Sequence, residues 1–127
     1  MTKKIFTKEA PAAIGPYSQG IIAGNMIFTS GQIPADPVTG EFPSARIADQ
    51  AERSILNVKA VLAAAGATLD DVVKTTCFLA DMADFAEFNK VYEAYFKSCP
   101  ARSCVAVKTI PKGALCEIEA VAVIERE

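Results

Sequence analysis

The chain has 127 residues, with thirteen basic side chains, fifteen acidic ones and no histidine. That length suits one domain spanning 1–127 with a real core. The basic residues are scattered, with only Lys3-Lys4 adjacent, so nucleic-acid binding has little electrostatic support. The missing histidine excludes a Ser-His or Cys-His dyad, a histidine metal ligand and a histidine base.

No apolar run reaches bilayer length, and the first residues are not followed by a signal-peptide core, so the sequence reads as soluble and cytoplasmic with no membrane partner. Cys77, Cys99, Cys104 and Cys116 make no C-x-x-C pair and match no common zinc spacing. They read most simply as free thiols, with no metal site.

In chain order, Lys4 to Thr7 reads as a short first strand. Pro11, Gly15, Pro16 and Gly20 then break the chain into a loop carrying Tyr17 and Ser18. Gly20 to Ala23 and Met26 to Ser30 are apolar runs joined at Gly24-Asn25, a hairpin signal. Gly31 to Pro43, rich in Pro, Gly and Asp, predicts an irregular, exposed loop. From Ala45 to Ala65 the period becomes helical, with Ile47, Ala51, Ile55, Val58 and Leu62 on one stripe, Ser44 as N-cap and Gly66 as stop. Asp71 to Ala80 is a β-branched strand. A second helix from Asp84 to Phe96 spaces Phe85, Phe88, Tyr92 and Tyr95 by three and four residues. Strands Arg102 to Val107 and Leu115 to Ile124 follow, separated by a Pro111-Lys112-Gly113 turn. The order β-β-β-α-β-α-β-β is an α+β plan with one sheet and two helices. Two helices cover one face, yet Ile21-Ile22, Met26-Ile27-Phe28 and Val121 to Ile124 are apolar at both parities. The other face is therefore expected to be buried against copies of the same chain.

Chemistry concentrates near the C-terminus. Arg102 opens an apolar strand, and Glu117 and Glu119 lie on what reads as the adjacent one. Guanidinium grips a carboxylate by two parallel hydrogen bonds, and a nearby glutamate can handle water or a proton. The same pattern fits an ordinary Arg–Glu ion pair between strands. Glu117 and Glu119, two apart, share a face, and spacing does not choose between them. Asn89, near the stripe of the second helix, is either bonded locally or directed into a cleft with Arg102. Tyr17 either caps a small-molecule pocket or covers subunit surface. Gly31, after Ser30 at a strand end, would allow close backbone approach to a ligand. Cys104 shares the face of Arg102, whose charge would favour a thiolate; with no histidine base, it reads as pocket wall.

Six segments give the chain a wider likeness: Ala13 to Gln19, Thr29 to Pro34, Asn57-Val58-Lys59, Asp84-Phe85 through Asn89, Pro100 to Val105, and Glu117 to Ala120. Together they are similar to the Rid family of reactive-intermediate imine deaminases, also known as YjgF-type proteins. The resemblance implies a chorismate-mutase-like α+β domain, its mixed, mainly antiparallel sheet carrying two helices on one face. It implies homotrimers with active sites between subunits and no cofactor. It implies hydrolysis of 2-iminopropanoate and 2-iminobutanoate to 2-oxo acids and ammonia, downstream of pyridoxal-phosphate-dependent dehydratases. By position, Arg102 would bind the substrate carboxylate and Glu117 would activate water. Tyr17, Ser30, Gly31, Asn89 and Cys104 would line the cleft. The segment Lys97-Ser98-Cys99 is shorter than usual for the family. An RNA-directed role and a chaperone-like or ligand-binding trimer are the alternatives, and the acidic balance disfavours the first.

Overall fold

The computed structural model describes residues 2–125. Its strands are β1 (Thr2–Ile5), β2 (Gly20–Ala23), β3 (Met26–Thr29), β4 (Val72–Leu79), β5 (Ala101–Ala106) and β6 (Cys116–Val123). The helices are α1 (Ile47–Ala64) and α2 (Phe85–Tyr95). All six strands join one sheet in the order β1-β2-β3-β6-β4-β5. Only the β4–β5 pair is parallel. A parallel pair needs a long crossover, and α2 supplies it. The α+β plan thus holds, with boundaries shifted by at most two residues.

Local sequence explains most elements. Gly24, at φ 61°, turns β2 into β3 in a backbone region that side chains resist. The stripe Ile47, Ala51, Ile55, Val58 and Leu62 is buried along α1. Ser44 is not the N-cap. Arg46 holds that position without a side-chain bond, while the Ser44 hydroxyl donates to Asp49 and accepts from the Arg46 N–H. The serine lies two residues too early, so it ties the first turn from outside.

Strand alternation divides the side chains between two faces. On one, Ile27, Thr75, Cys77, Leu79, Cys116, Ile118, Ala120 and Ala122 are buried in a core shared with Ile55, Val58, Leu62, Phe88 and Tyr92 of the helices. On the other lie Phe28, Phe78, Val105 and Val121 beside Lys74, Thr76, Glu117 and Glu119. Phe28 and Val105 there are 39% and 47% exposed, so the described chain leaves much of this face uncovered. Among the described residues, no helix is long and apolar enough to cross a membrane.

The loop after β3 is irregular but not uniformly exposed, since Gln32, Pro34 and Ala35 are buried. A fully buried amide on α1 fastens it. Asn57 Nδ2 donates to the Ile33 and Ala35 carbonyls at 3.1 and 2.9 Å, and Oδ1 accepts from Arg53 at 2.9 Å. Replacing Asn57 by Ala strands these partners. It is expected to cost about 3 kcal/mol in urea unfolding; a loss below about 0.5 kcal/mol, within the range of an ordinary surface change, would show the loop to be held otherwise.

Candidate active site

The first group of polar residues gathers on the helix side of β5. Phe85, Asn89 and Tyr92 follow i, i+4, i+7 on α2, so one stripe faces the strand. Arg102 Nη1 donates to Asn89 Oδ1 at 2.7 Å. The guanidinium carbon lies 4.7 Å from the Tyr92 ring centre and 5.5 Å from that of Phe85. Such cation–ring contacts are worth about 0.5–2 kcal/mol each. The Tyr92 hydroxyl shares a 2.7 Å hydrogen bond with Thr75 of β4, the register partner of Arg102. Burial is the main cause pushing the Tyr92 phenol up. Asn89 thus takes the second of its two readings, beside the arginine.

Cys104 shares this face, half-buried, and pairs in register with Cys77. Arg102 does pull the thiol down, as its charge suggested, but burial is the larger influence and pushes the thiol up. Burial also drives Cys77 and Cys116 up to about 12. All four cysteines are free, and Cys99 is exposed.

A second group forms where the loop after β3 meets β6. Gln32 and Ile118 exchange backbone hydrogen bonds at 2.8 and 3.1 Å, which lays Gly31 against Glu117. A Cβ on Gly31 would overlap Glu117 Oε2 and lie 2.9 Å from Cδ, so any other residue here would push the carboxylate out of its present place. Glu117 is half-buried, whereas Glu119, two residues on, is exposed. Desolvation, and secondarily the charge of Glu119, hold the Glu117 carboxyl above the usual range. The Ser30 hydroxyl donates to the Ser18 carbonyl, and the Ser30 N–H bonds Gln19 O at 2.9 Å, tying the Tyr17 loop to β3. Tyr17 is exposed and, with Gly31, Gln32, Ile33 and Lys112, lines an open groove of about 660 Å³. Of the expected site residues, only Tyr17 and Gly31 line that groove.

The two groups do not meet within one chain. β4 stands between β5 and β6, so the strands carrying Arg102 and Glu117 are not neighbours as the sequence implied. Arg102 pairs with buried Thr75, while Glu117 pairs with Phe78 on the uncovered face. An ion pair between them is excluded by parity. Composition and spacing also left two supports unassigned. Tyr92 and Phe85 under the guanidinium were visible as a stripe but read only as packing. Gln19 is buried, accepts from Thr7 N at 2.7 Å and donates to the Thr7, Ala10 and Pro11 carbonyls. Its place in the loop motif was the sole signal.

The chain is thus an α+β sheet with a caged guanidinium on one face and a half-buried carboxylate on the other. Residues 7–124 match the family described as Endoribonuclease L-PSP. The chain is 56% identical over 127 residues to the 2-iminobutanoate/2-iminopropanoate deaminase of Escherichia coli K12, a match covering 97% of this chain and 98% of that one. The structure of E. coli TdcF with bound serine superposes with a TM-score of 0.93 at 50% identity, covering 97% of this chain and 99% of the other. The E. coli YjgF gene product superposes with a TM-score of 0.93 at 54% identity and the same coverage. The chain belongs to this family, known as Rid, YjgF or L-PSP.

The thiol environments can be checked by alkylation followed by peptide mass mapping. Exposed Cys99 is expected to label first and buried Cys77 and Cys116 last. Cys104 should label with a pH inflection above that of an ordinary thiol. An inflection below it would show that Arg102, not burial, governs the site.

Proposed function

We propose that this chain is a hydrolytic deaminase of 2-imino acids, acting on 2-iminopropanoate and 2-iminobutanoate. The carrying observation is the pre-set guanidinium of Arg102, with one nitrogen engaged by Asn89 and its carbon held against the rings of Tyr92 and Phe85. A cation held this way can accept a carboxylate through parallel hydrogen bonds without reorganising. The E. coli relative's name specifies these substrates, and TdcF was solved with serine, an amino acid bearing the same carboxylate.

Because Arg102 and Glu117 occupy opposite faces of one sheet, we assign the complete site to two copies, one supplying each residue. The uncovered apolar face provides the surface on which copies join, and a homotrimer is the assembly we favour. Tyr17, Ser30 and Gly31 then accompany Glu117, while Asn89 and Cys104 accompany Arg102.

The chemistry asks little more of the protein. Water attacks the imine carbon while the Glu117 carboxylate takes its proton, forming a C–O bond and opening the C=N bond onto nitrogen. Glu117 returns the proton to that nitrogen, giving a carbinolamine; the carbinol hydroxyl proton then passes through Glu117 to the amine as the C=O bond forms and the C–N bond breaks, and ammonia and the 2-oxo acid leave. A raised pKa makes Glu117 a stronger base in the first step and a usable acid in the second. Cys104, kept protonated, serves as wall rather than nucleophile. Such substrates are products of dehydratases that eliminate water from serine or threonine.

Coupling a threonine dehydratase to this protein should accelerate 2-oxobutanoate release. Arg102→Ala is expected to lower kcat/KM by about 100-fold or more, as loss of a charged bidentate contact predicts. RNA cleavage that survives this substitution, without imine hydrolysis, would instead favour the ribonuclease reading named in the family's description.

The pH profile tests Glu117 separately. The base works ionised, so kcat/KM should fall as pH drops through a value above the ordinary carboxylate range. Glu117→Gln should lower kcat about 10²- to 10⁴-fold and remove that limb. A limb retained in the variant would place the essential base elsewhere.

A further inference from the structure

Four residues close a circuit around the β4–β5–α2 junction. Thr75 and Arg102 are register partners on parallel strands, Arg102 donates to Asn89, and Asn89 and Tyr92 are one turn apart on α2. The Tyr92 hydroxyl closes the loop on Thr75 at 2.7 Å, with Tyr92 7% exposed and Thr75 fully buried. Tyr92 also stacks on Phe96, ring centres 4.5 Å apart, so the ring itself is well packed.

The hydroxyl pair is hard to explain as core packing. Phe and Val at these positions would fill the same space, and replacing both partners of a buried hydrogen bond by apolar groups of like shape is close to neutral for stability. What the pair does fix is the rotation and height of the Tyr92 ring relative to β4. The Arg102 guanidinium lies 4.7 Å from that ring centre. A ring free to slide would let the cation slide with it, since stacking sets the plane of a guanidinium but not its lateral position.

We propose that Tyr92, anchored by Thr75, is a positioning residue that sets the orientation of the Arg102 guanidinium for carboxylate binding. The pair acts through Arg102 and touches no reacting atom. It therefore governs substrate affinity rather than the hydrolytic step. This rests on the reading of Arg102 as the carboxylate clamp.

Tyr92→Phe keeps the ring and removes the anchor from one side; Thr75→Val removes it from the other. Each is expected to raise KM for the imino acid, and the Kd of the product 2-oxobutanoate by calorimetry, about fivefold, the value of one hydrogen bond. The change in kcat should stay below about twofold. The double variant should be no worse than either single one, because both delete the same contact. Tyr92→Leu, which also removes the stacked ring, should weaken binding further. If that variant does not fold, the two isosteric ones suffice.

Unchanged KM and Kd in both isosteric variants, with Arg102→Ala inactive, would overturn the positioning role and leave the deaminase reading intact. Additive effects in the double variant, or a loss confined to kcat, would overturn it equally. A wild type that neither turns over imino acid nor binds 2-oxobutanoate would remove both readings together.

Discussion

The alternation of side chains across β4, β5 and β6 is the constraint on which everything else depends. With β4 between the other two, period-two geometry commits Arg102 to the helix side and Glu117 to the uncovered side. A one-residue slip of β5 would send Arg102 to the open face and strip it of Asn89, Tyr92 and Phe85. On β5 itself no residue is fully buried, so Arg102 is held on the helix side by its own contacts with Asn89, Tyr92 and Phe85. The same alternation therefore keeps the two charged residues apart within a chain. It also makes a shared site the natural way to bring them together.

Buried polar side chains do the remaining positioning. Gln19, Asn57 and Gln50 each tie an irregular segment to the frame, and each lies in or beside the core. Thr29 does the same inside the sheet, its hydroxyl accepting from the Ala120 N–H at 3.0 Å. Loops held this way lose little further entropy when a ligand arrives. Ser30 belongs with these, since its hydroxyl is engaged by the Ser18 carbonyl and orders the strand end next to Gly31.

Desolvation sets the proton inventory. It outweighs the pull of Arg102 at Cys104, leaving a thiol, and it lifts Glu117, leaving a carboxylate of increased basicity. The proposed pairing of one clamp with one base suits an imine, which is already electrophilic and requires chiefly orientation toward water. No histidine is needed for such a step.

Read alone, the chain determined its elements, the buried stripe of α1, the turn at Gly24-Asn25, the need for cover on a second sheet face and the family to which Arg102 and Glu117 point. These are local matters: periodicity, turn chemistry and short motifs depend on residues close in sequence. Glu117 and Glu119 on one face also followed from spacing. The tertiary structure alone decided that β4 separates β5 from β6, that Glu117 rather than Glu119 is pressed against Gly31, that burial outweighs Arg102 in shifting the Cys104 thiol, and that Tyr92 lies beside the arginine. Each of these depends on strand order, register or burial, and those are fixed by contacts between segments far apart in the chain. No local window contains them.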